Sequence, residues 1–186
     1  MSKIILGFTG LIVSGKDTCK IYVMKKYGAS GHSYSTMLRD ILNRLYLPIT
    51  RGNMQAISLD LRNRFGDETL ARVISEDVKN DNHEIIVIEG IRRLPDIASL
   101  KNLPGFHLIS LEADIQTRYE RLIKRHENAD DATKTFAEFV VDNGREAELN
   151  IPDVMAAAKY HINNNGSFEK LYAQIDKIIA AIKKSA

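Results

Sequence analysis

Gly10-Leu11-Ile12-Val13-Ser14-Gly15-Lys16-Asp17-Thr18 is the stretch whose reading decides the fold. It runs G-x-x-x-x-G-K, the spacing of a loop that wraps phosphates in backbone N–H groups. By chance that spacing turns up in roughly one chain of this size in twenty, so its surroundings carry the weight. An apolar run, Ile4-Ile5-Leu6, leads into it from a strand expected over Ile4–Thr9. Thr18–Tyr27 leads out as a helix, whose first turn offers unpaired amides and the positive end of its dipole. Gly10, Val13, Ser14, Gly15, Lys16, Asp17 and Thr18 are therefore the candidate nucleotide-binding residues.

Lys16 is expected to reach the β- and γ-phosphates of ATP and to neutralise charge as the phosphoryl group moves. The strict form of the motif has Ser or Thr directly after the Lys, to hold Mg²⁺. Here Asp17 stands there and Thr18 follows. That weakens the GTPase and motor ATPase readings and leaves G-K-x-T. Thr18 is expected at the phosphate. Asp17 either holds the metal through water or complements the helix dipole. Glu84–Glu89 is a continuous apolar run ended by an acid, as in a central parallel strand buried on both faces. Glu89 completes the candidate magnesium set of Asp17, Thr18 and Glu89.

The rest of the chain alternates. A turn and short strand cover Gly28–Tyr34, then a helix Thr36–Tyr46 with Ser35 as N-cap and Pro48 as stop. Thr50 or Asn53 opens another helix that breaks at Phe65-Gly66, and Asp67–Lys79 is amphipathic. After the central strand come a short helix Asp96–Lys101, a strand Phe106–Leu111 and an Arg-rich helix Asp114–His126. Helices Phe136–Leu149 and Pro152–Ala158, a strand Tyr160–Asn163 and a helix Phe168–Lys183 complete it. Strands alternating with helices predict an α/β fold, a three-layer, doubly wound parallel sheet of about five strands. Its site belongs at the carboxyl ends of the strands.

Composition narrows the partners. The 186 residues carry a net charge of +2, so no strong field argues for nucleic acid or an anionic membrane. One Cys cannot make an internal disulfide, and no apolar run reaches membrane-spanning length. Met1-Ser2-Lys3 runs straight into the first strand with no room for a signal peptide, so a cytoplasmic protein, monomer or homodimer, is expected. The His residues show no metal spacing, and with Tyr34 they are read as packing or surface residues. All twelve Arg, by contrast, lie between Arg39 and Arg145. Arg presents a planar fork suited to phosphate.

Gly90-Ile91-Arg92-Arg93 follows Glu89 at once, and its guanidiniums can cradle an acceptor phosphate beside the loop. Arg39 stands early on its helix with the same potential. Arg51, Gln55 and Arg62 recur on the next helix, where Gln55 and Arg62 share a face by their spacing of seven. Arg118, Arg121 and Arg125 form one helical stripe, and with Asp130-Asp131 and Arg145 beyond it they read as a lid that excludes water.

The order phosphate loop, Met37-Leu38-Arg39, Ile88-Glu89-Gly90-Ile91-Arg92-Arg93, Arg118/Arg121/Arg125 and Asp130-Asp131 resembles nucleoside monophosphate kinases of the adenylate kinase type. Gly7–Lys16 and Ile162–Ser167 are also similar to dephospho-CoA kinases. Gly15–Thr18, with Arg51, Gln55 and Arg62, is similar to phage-type deoxynucleoside monophosphate kinases. The resemblance implies a P-loop kinase core with a helical acceptor-binding segment over about 34–76 and a lid over about 121–145. It implies transfer of the γ-phosphoryl of ATP to a nucleoside or deoxynucleoside monophosphate, with Mg²⁺. By position, Arg39 and Arg92 or Arg93 bind the acceptor, while Arg121, Arg125 and Arg145 bind the transferring group. The chain departs from the pattern at His126–Ala129, where a second lid Arg is usual, and at Tyr34-Ser35-Thr36, where Thr-Gly-Asp is usual. Two other readings compete. In a dephospho-CoA kinase the acceptor is a hydroxyl, with Asp40 or Asp17 as base; a regulator would bind ATP without turning it over.

Overall fold

The computed structural model describes residues 3–125, 134–144 and 150–185. In chain order the elements are β1 (Ile4–Thr9), α1 (Lys16–Tyr27), β2 (Ser30–Ser33), α2 (Tyr34–Arg44), α3 (Arg51–Phe65), α4 (Thr69–Asn80) and β3 (Ile85–Glu89). There follow α5 (Leu94–Ala98), a 3₁₀ turn (Leu100–Asn102), β4 (Phe106–Glu112), α6 (Ile115–Arg125), α7 (Phe136–Asn143), α8 (Ile151–Ala156), β5 (Tyr160–Asn163) and α9 (Phe168–Ser185). The strands form one five-stranded sheet, ordered β2-β3-β1-β4-β5, with every pair parallel. The expected α/β architecture is what the chain adopts.

Both faces of the sheet are covered, which is why β1 and β3 are apolar without alternation. Successive strand residues point to opposite sides. Leu6, Phe8, Val87 and Leu111 pack with Cys19 and Val23 of α1 and with Leu171, Ile175 and Ile179 of α9. Ile5, Ile86 and Ile88 pack with Leu38 of α2, Leu70 and Ile74 of α4, Ile97 of α5 and Val154 of α8. Phe8 is wholly buried, so its truncation to Ala costs about 3–5 kcal/mol.

The chain starts at the centre of the sheet, steps to β2 and β3 on one side and then to β4 and β5 on the other. The switch point lies at the carboxyl end of β1, where the crossover helices diverge and leave a crevice. The phosphate loop follows that end directly. Among the described residues no helix is long and apolar enough to cross a membrane.

Some boundaries differ from expectation. Ser33, not Ser35, caps α2: its side chain accepts from the Ser35 N–H, so the helix starts at Tyr34. The short helix begins at Leu94 rather than Asp96, because Pro95 suits a first turn and Asp96 closes a capping box there. The helix expected over Phe136–Leu149 ends at Asn143, and 145–149 lie outside the described residues.

Candidate active site

Thr9, buried at the end of β1, donates from Oγ1 to the Ile91 carbonyl at 3.0 Å, tying the loop's entry to the segment after β3. Gly10 then takes φ 151°, and a Cβ there would stand 2.5 Å from the Leu111 carbonyl oxygen. Gly15 takes φ 103° at the head of α1, and a Cβ would meet Asn164 Nδ2 at 2.3 Å. Between them Val13 has φ 60°, a conformation that a β-branched residue holds only when its surroundings impose it.

No side chain caps α1. Its first-turn amides thus keep the character of an anion site. Lys16 curls back over the loop, its ammonium 2.7 Å from the Gly10 carbonyl oxygen, 2.9 Å from that of Leu11 and 3.5 Å from Ser14 Oγ. A cation and a ring of backbone groups therefore meet at one place. Such an arrangement is able to cradle a phosphate.

Two side chains hold the loop from behind: Arg118, expected instead on the lid stripe, and Asn164, for which the sequence reading gave no site role. Arg118 Nη1 donates to the Ile12 carbonyl at 3.2 Å, and Asn164 Nδ2 donates to the Ser14 carbonyl at 2.8 Å. Asn164 is 5 % exposed and Arg118 4 %. The Arg118 side chain therefore does not line an open lid face with Arg121 and Arg125, as its spacing suggests. Packing of α6 against the loop turns it inward. The run Asn163-Asn164-Asn165, polar and directly after a strand, was the available signal for Asn164.

Glu89, at the end of β3, pairs with Lys20 Nζ at 2.5 Å. Burial, then a hydrogen bond with Asp17, pushes the Glu89 carboxyl above its ordinary range, with Lys20 opposing. Lys20 was not read as a site residue; it lies one helical turn beyond Lys16 and passes over Gly31, where a Cβ would meet its Cε at 2.8 Å. Asp17, Thr18 and Glu89 are all oxygen donors, the chemistry Mg²⁺ prefers. No group of three or more His, Cys, Asp or Glu side chains among the described residues could cage a metal. Asp17 and Glu89, hydrogen-bonded to each other, match the one or two carboxylates that steady an ion arriving with phosphate and water.

Arg121 donates from Nη2 to the Asn164 carbonyl at 2.7 Å, while its buried Nη1 has no hydrogen-bond partner among the described residues. Burial lowers its pKa from the ordinary value. A buried guanidinium nitrogen left without an acceptor costs about 1–3 kcal/mol, and an anionic oxygen would relieve it. Arg125 closes α6, and its side chain lies outside the described residues, as do Asp130, Asp131 and Arg145.

The arginines expected to bind an acceptor divide. Arg39 is exposed on α2, with Nη1 3.1 Å from Ser35 Oγ, and Gln55 is exposed on α3. The Arg51 side chain lies outside the described residues. Arg92 is exposed beside Glu89, and Arg93, half-buried, reaches Asp67 at 3.3 Å. Arg62 is the correction. Its Nη2 pairs with Asp96 Oδ1 at 2.6 Å, its Nη1 donates to the Asp67 carbonyl at 2.5 Å, and its side chain is 7 % exposed. Sharing a helical face with Gln55 did not bring Arg62 to the surface, because the buried Asp96 carboxylate of α5 and the Asp67 carbonyl hold its guanidinium inward.

Asp96 is the hub that sequence reading missed. It is 2 % exposed and accepts from Arg62 and from the backbone N–H of Arg92 and Arg93. Its own carbonyl accepts from Tyr34 Oη at 2.6 Å. Asp96 thereby sets the backbone from which Arg92 and Arg93 project. Pro95 before it, marking a helix start, was the available clue.

No family model matches the chain. A UPF0200 protein of Methanocaldococcus jannaschii is 30% identical over 183 residues, covering 96% of this chain and 90% of its own. Another from Thermococcus sibiricus is 28% identical over 179 residues, covering 94% and 93%. Among solved structures, TT1252 from Thermus thermophilus superposes with a TM-score of 0.64 at 16% identity, over 97% of this chain and 98% of that one. Shikimate kinase from Bacteroides thetaiotaomicron gives 0.63 at 12%, over the same shares. These likenesses establish the P-loop kinase fold.

Proposed function

The chain belongs to the UPF0200 family, and from that premise we propose that it is an ATP-dependent phosphotransferase acting on a nucleoside or deoxynucleoside monophosphate. The observation that carries this reading is the loop. It is strained at Val13, uncapped at the head of α1, and closed over by the Lys16 ammonium.

Little covalent chemistry is asked of the protein in phosphoryl transfer; positioning and charge stabilisation carry the rate. Backbone N–H groups of Val13 to Thr18 hold the phosphate chain, and Lys16 meets the negative charge that spreads as the γ-phosphoryl leaves. Arg121, with one nitrogen lacking an acceptor, contacts the same group, joined by Arg125 and Arg145. Asp17, Thr18 and Glu89 would hold Mg²⁺, which supplies neutralisation of the phosphate oxygens when bound. Arg39, Arg92 and Arg93 receive the acceptor phosphate, with Arg51 and Gln55 nearer its base, and they screen repulsion between two anions. Arg62, tied to Asp96, supports that side rather than touching substrate.

A second reading is favoured by the Asp17–Glu89 carboxyl pair, since a hydroxyl acceptor, as in dephospho-CoA kinase, needs a proton acceptor. One assay separates these possibilities: ADP release coupled to a dehydrogenase, run with a panel of ribo- and deoxyribonucleoside monophosphates and with dephospho-CoA. Turnover with a monophosphate is expected. Turnover with dephospho-CoA alone would transfer the reading to the hydroxyl acceptor, and ATP binding with no turnover across the panel would mark a regulator.

A further inference from the structure

We propose that Arg118 is a positioning residue that aims the phosphate-loop amides, and that Asn143, at the end of α7, sets its geometry. The proposal rests on the reading of the loop as an ATP site. Its nucleotide-free arm does not.

Arg118 Nε donates to the Ala113 carbonyl at 3.0 Å, which fixes the guanidinium against the start of its own helix. Its Nη1 stands 3.2 Å from the Ile12 carbonyl oxygen and 2.6 Å from Asn143 Oδ1. One nitrogen thus joins the loop backbone to a helix 106 and 25 residues away from Arg118 in opposite directions along the chain. The Asn143 amide cannot simply turn over, since its Nδ2 donates to the Phe139 carbonyl at 2.5 Å. Phe139, 1 % exposed, lies with its ring centre 5.5 Å from Arg118 Cζ and backs the guanidinium from the α7 side.

The consequence for the loop follows from the peptide plane. In a trans peptide the N–H points opposite to the C=O. A donor that holds the Ile12 carbonyl toward α6 therefore turns the Val13 N–H away from α6. Asn164 acts on the next but one peptide in the same sense, by holding the Ser14 carbonyl. Val13 lies between the two held carbonyls at φ 60°, and its conformation is what such opposed holds would impose. Because α7 lies within the segment read as the lid, a displacement of Asn143 is passed to the loop by way of Arg118 Nη1.

The test uses Asn143→Ala and Asn143→Asp in the full chain, which leave the buried Arg118 in place. In calorimetric titration with Mg-ATP, Asn143→Ala is expected to bind about tenfold more weakly than native, the size of one hydrogen bond to a charged group. KM for ATP rises by the same factor while KM for the acceptor holds. Asn143→Asp, whose carboxylate can still accept from Arg118, is expected near native. Native-like ATP affinity in Asn143→Ala, or equal weakening in both variants, overturns the proposal. If native chain binds no Mg-ATP, the ATP reading itself fails, and amide exchange in nucleotide-free chains still decides the positioning role. Faster exchange in Asn143→Ala confined to residues 10–18 supports it. Unchanged exchange there, or faster exchange throughout the sheet, overturns it.

Discussion

Val13 and Tyr46 are the two non-glycine residues with positive φ among those described, at 60° and 56°. They sit on opposite partners of the site. The carbonyls on either side of Val13 are held by Arg118 and Asn164, side chains from two other elements. Tyr46 is 88 % exposed, and the bonds around it are local: its N–H donates to Asn43 and that of Leu47 to Leu42, both in α2. Its strain is that of a helix end where glycine is usual. Backbone strain of this kind costs roughly 1–3 kcal/mol wherever it occurs. At Val13 distant parts of the chain sustain it; at Tyr46 only the helix end does. The difference teaches that the side proposed to hold ATP is braced rigid from remote elements. The side proposed to hold the acceptor is an α2–α3 hairpin whose tip, bonded within its own helix, is the looser of the two.

The comparison breaks first if the rigid side does no chemistry. Lys16→Ala should lower turnover by about a thousandfold or more, the scale for removing a preorganised charge from a developing one. It should leave the melting temperature close to native, because the carbonyls that the Lys16 ammonium holds belong to the loop rather than to the core. Steady-state rates beside a thermal melt check both halves. Retained turnover would remove Lys16 from the transition state.

Next in size is Asp96, where the acceptor side meets the core. Removing one member of a buried ion pair costs about 3–5 kcal/mol, because the other charge is left without compensation. Asp96→Ala strands Arg62 and frees two backbone N–H groups at Arg92 and Arg93. Chemical denaturation should register that loss. A drop below about 1 kcal/mol, the scale of an exposed pair, would mean that α5 and α3 separate easily, and that the looseness extends well past Tyr46.

How much of this was legible beforehand follows from sequence distance. β1, the loop and α1 are contiguous, so the motif and its flanks disclosed strand, turn and helix together. Periodicity found the five strands for the same reason. The straps were hidden because their partners are remote: Arg118 to Ile12 spans 106 residues, Asn164 to Ser14 spans 150, and Lys20 to Glu89 spans 69. Spacing alone put Arg118 on the stripe of Arg121 and Arg125, and three residues do leave only about 60° between side chains. That the stripe meets the loop and the Asn164 segment rather than solvent was decided by packing from remote parts of the chain. Arg62 failed differently. A helical face is a direction, and whether it meets water depends on what another segment lays over it.

A smaller effect separates the two substrates. Arg39 is exposed and, among the described residues, bonded to Ser35, so Arg39→Ala should raise KM for the acceptor about tenfold, the scale of a charge-assisted hydrogen bond. KM for ATP should not move. Equal rises in both constants would show that α2 also shapes the loop, and the division into rigid and loose halves would blur.

The smallest effect is at Tyr46 itself. An L-residue in the left-handed region costs roughly 1–2 kcal/mol, whereas Gly adds back about 0.5–1 kcal/mol of unfolded-state freedom. Tyr46→Gly should therefore stabilise the chain by less than about 1 kcal/mol, a rise of roughly 1–3 °C in melting temperature for a domain of this size. At 88 % exposure the ring gives up little burial, so no packing loss opposes the gain. ATP and acceptor kinetics should stay as they are. If the melt does not move and acceptor KM climbs instead, the φ of 56° at Tyr46 serves substrate as that of Val13 does, and both halves of the site are held under strain for function.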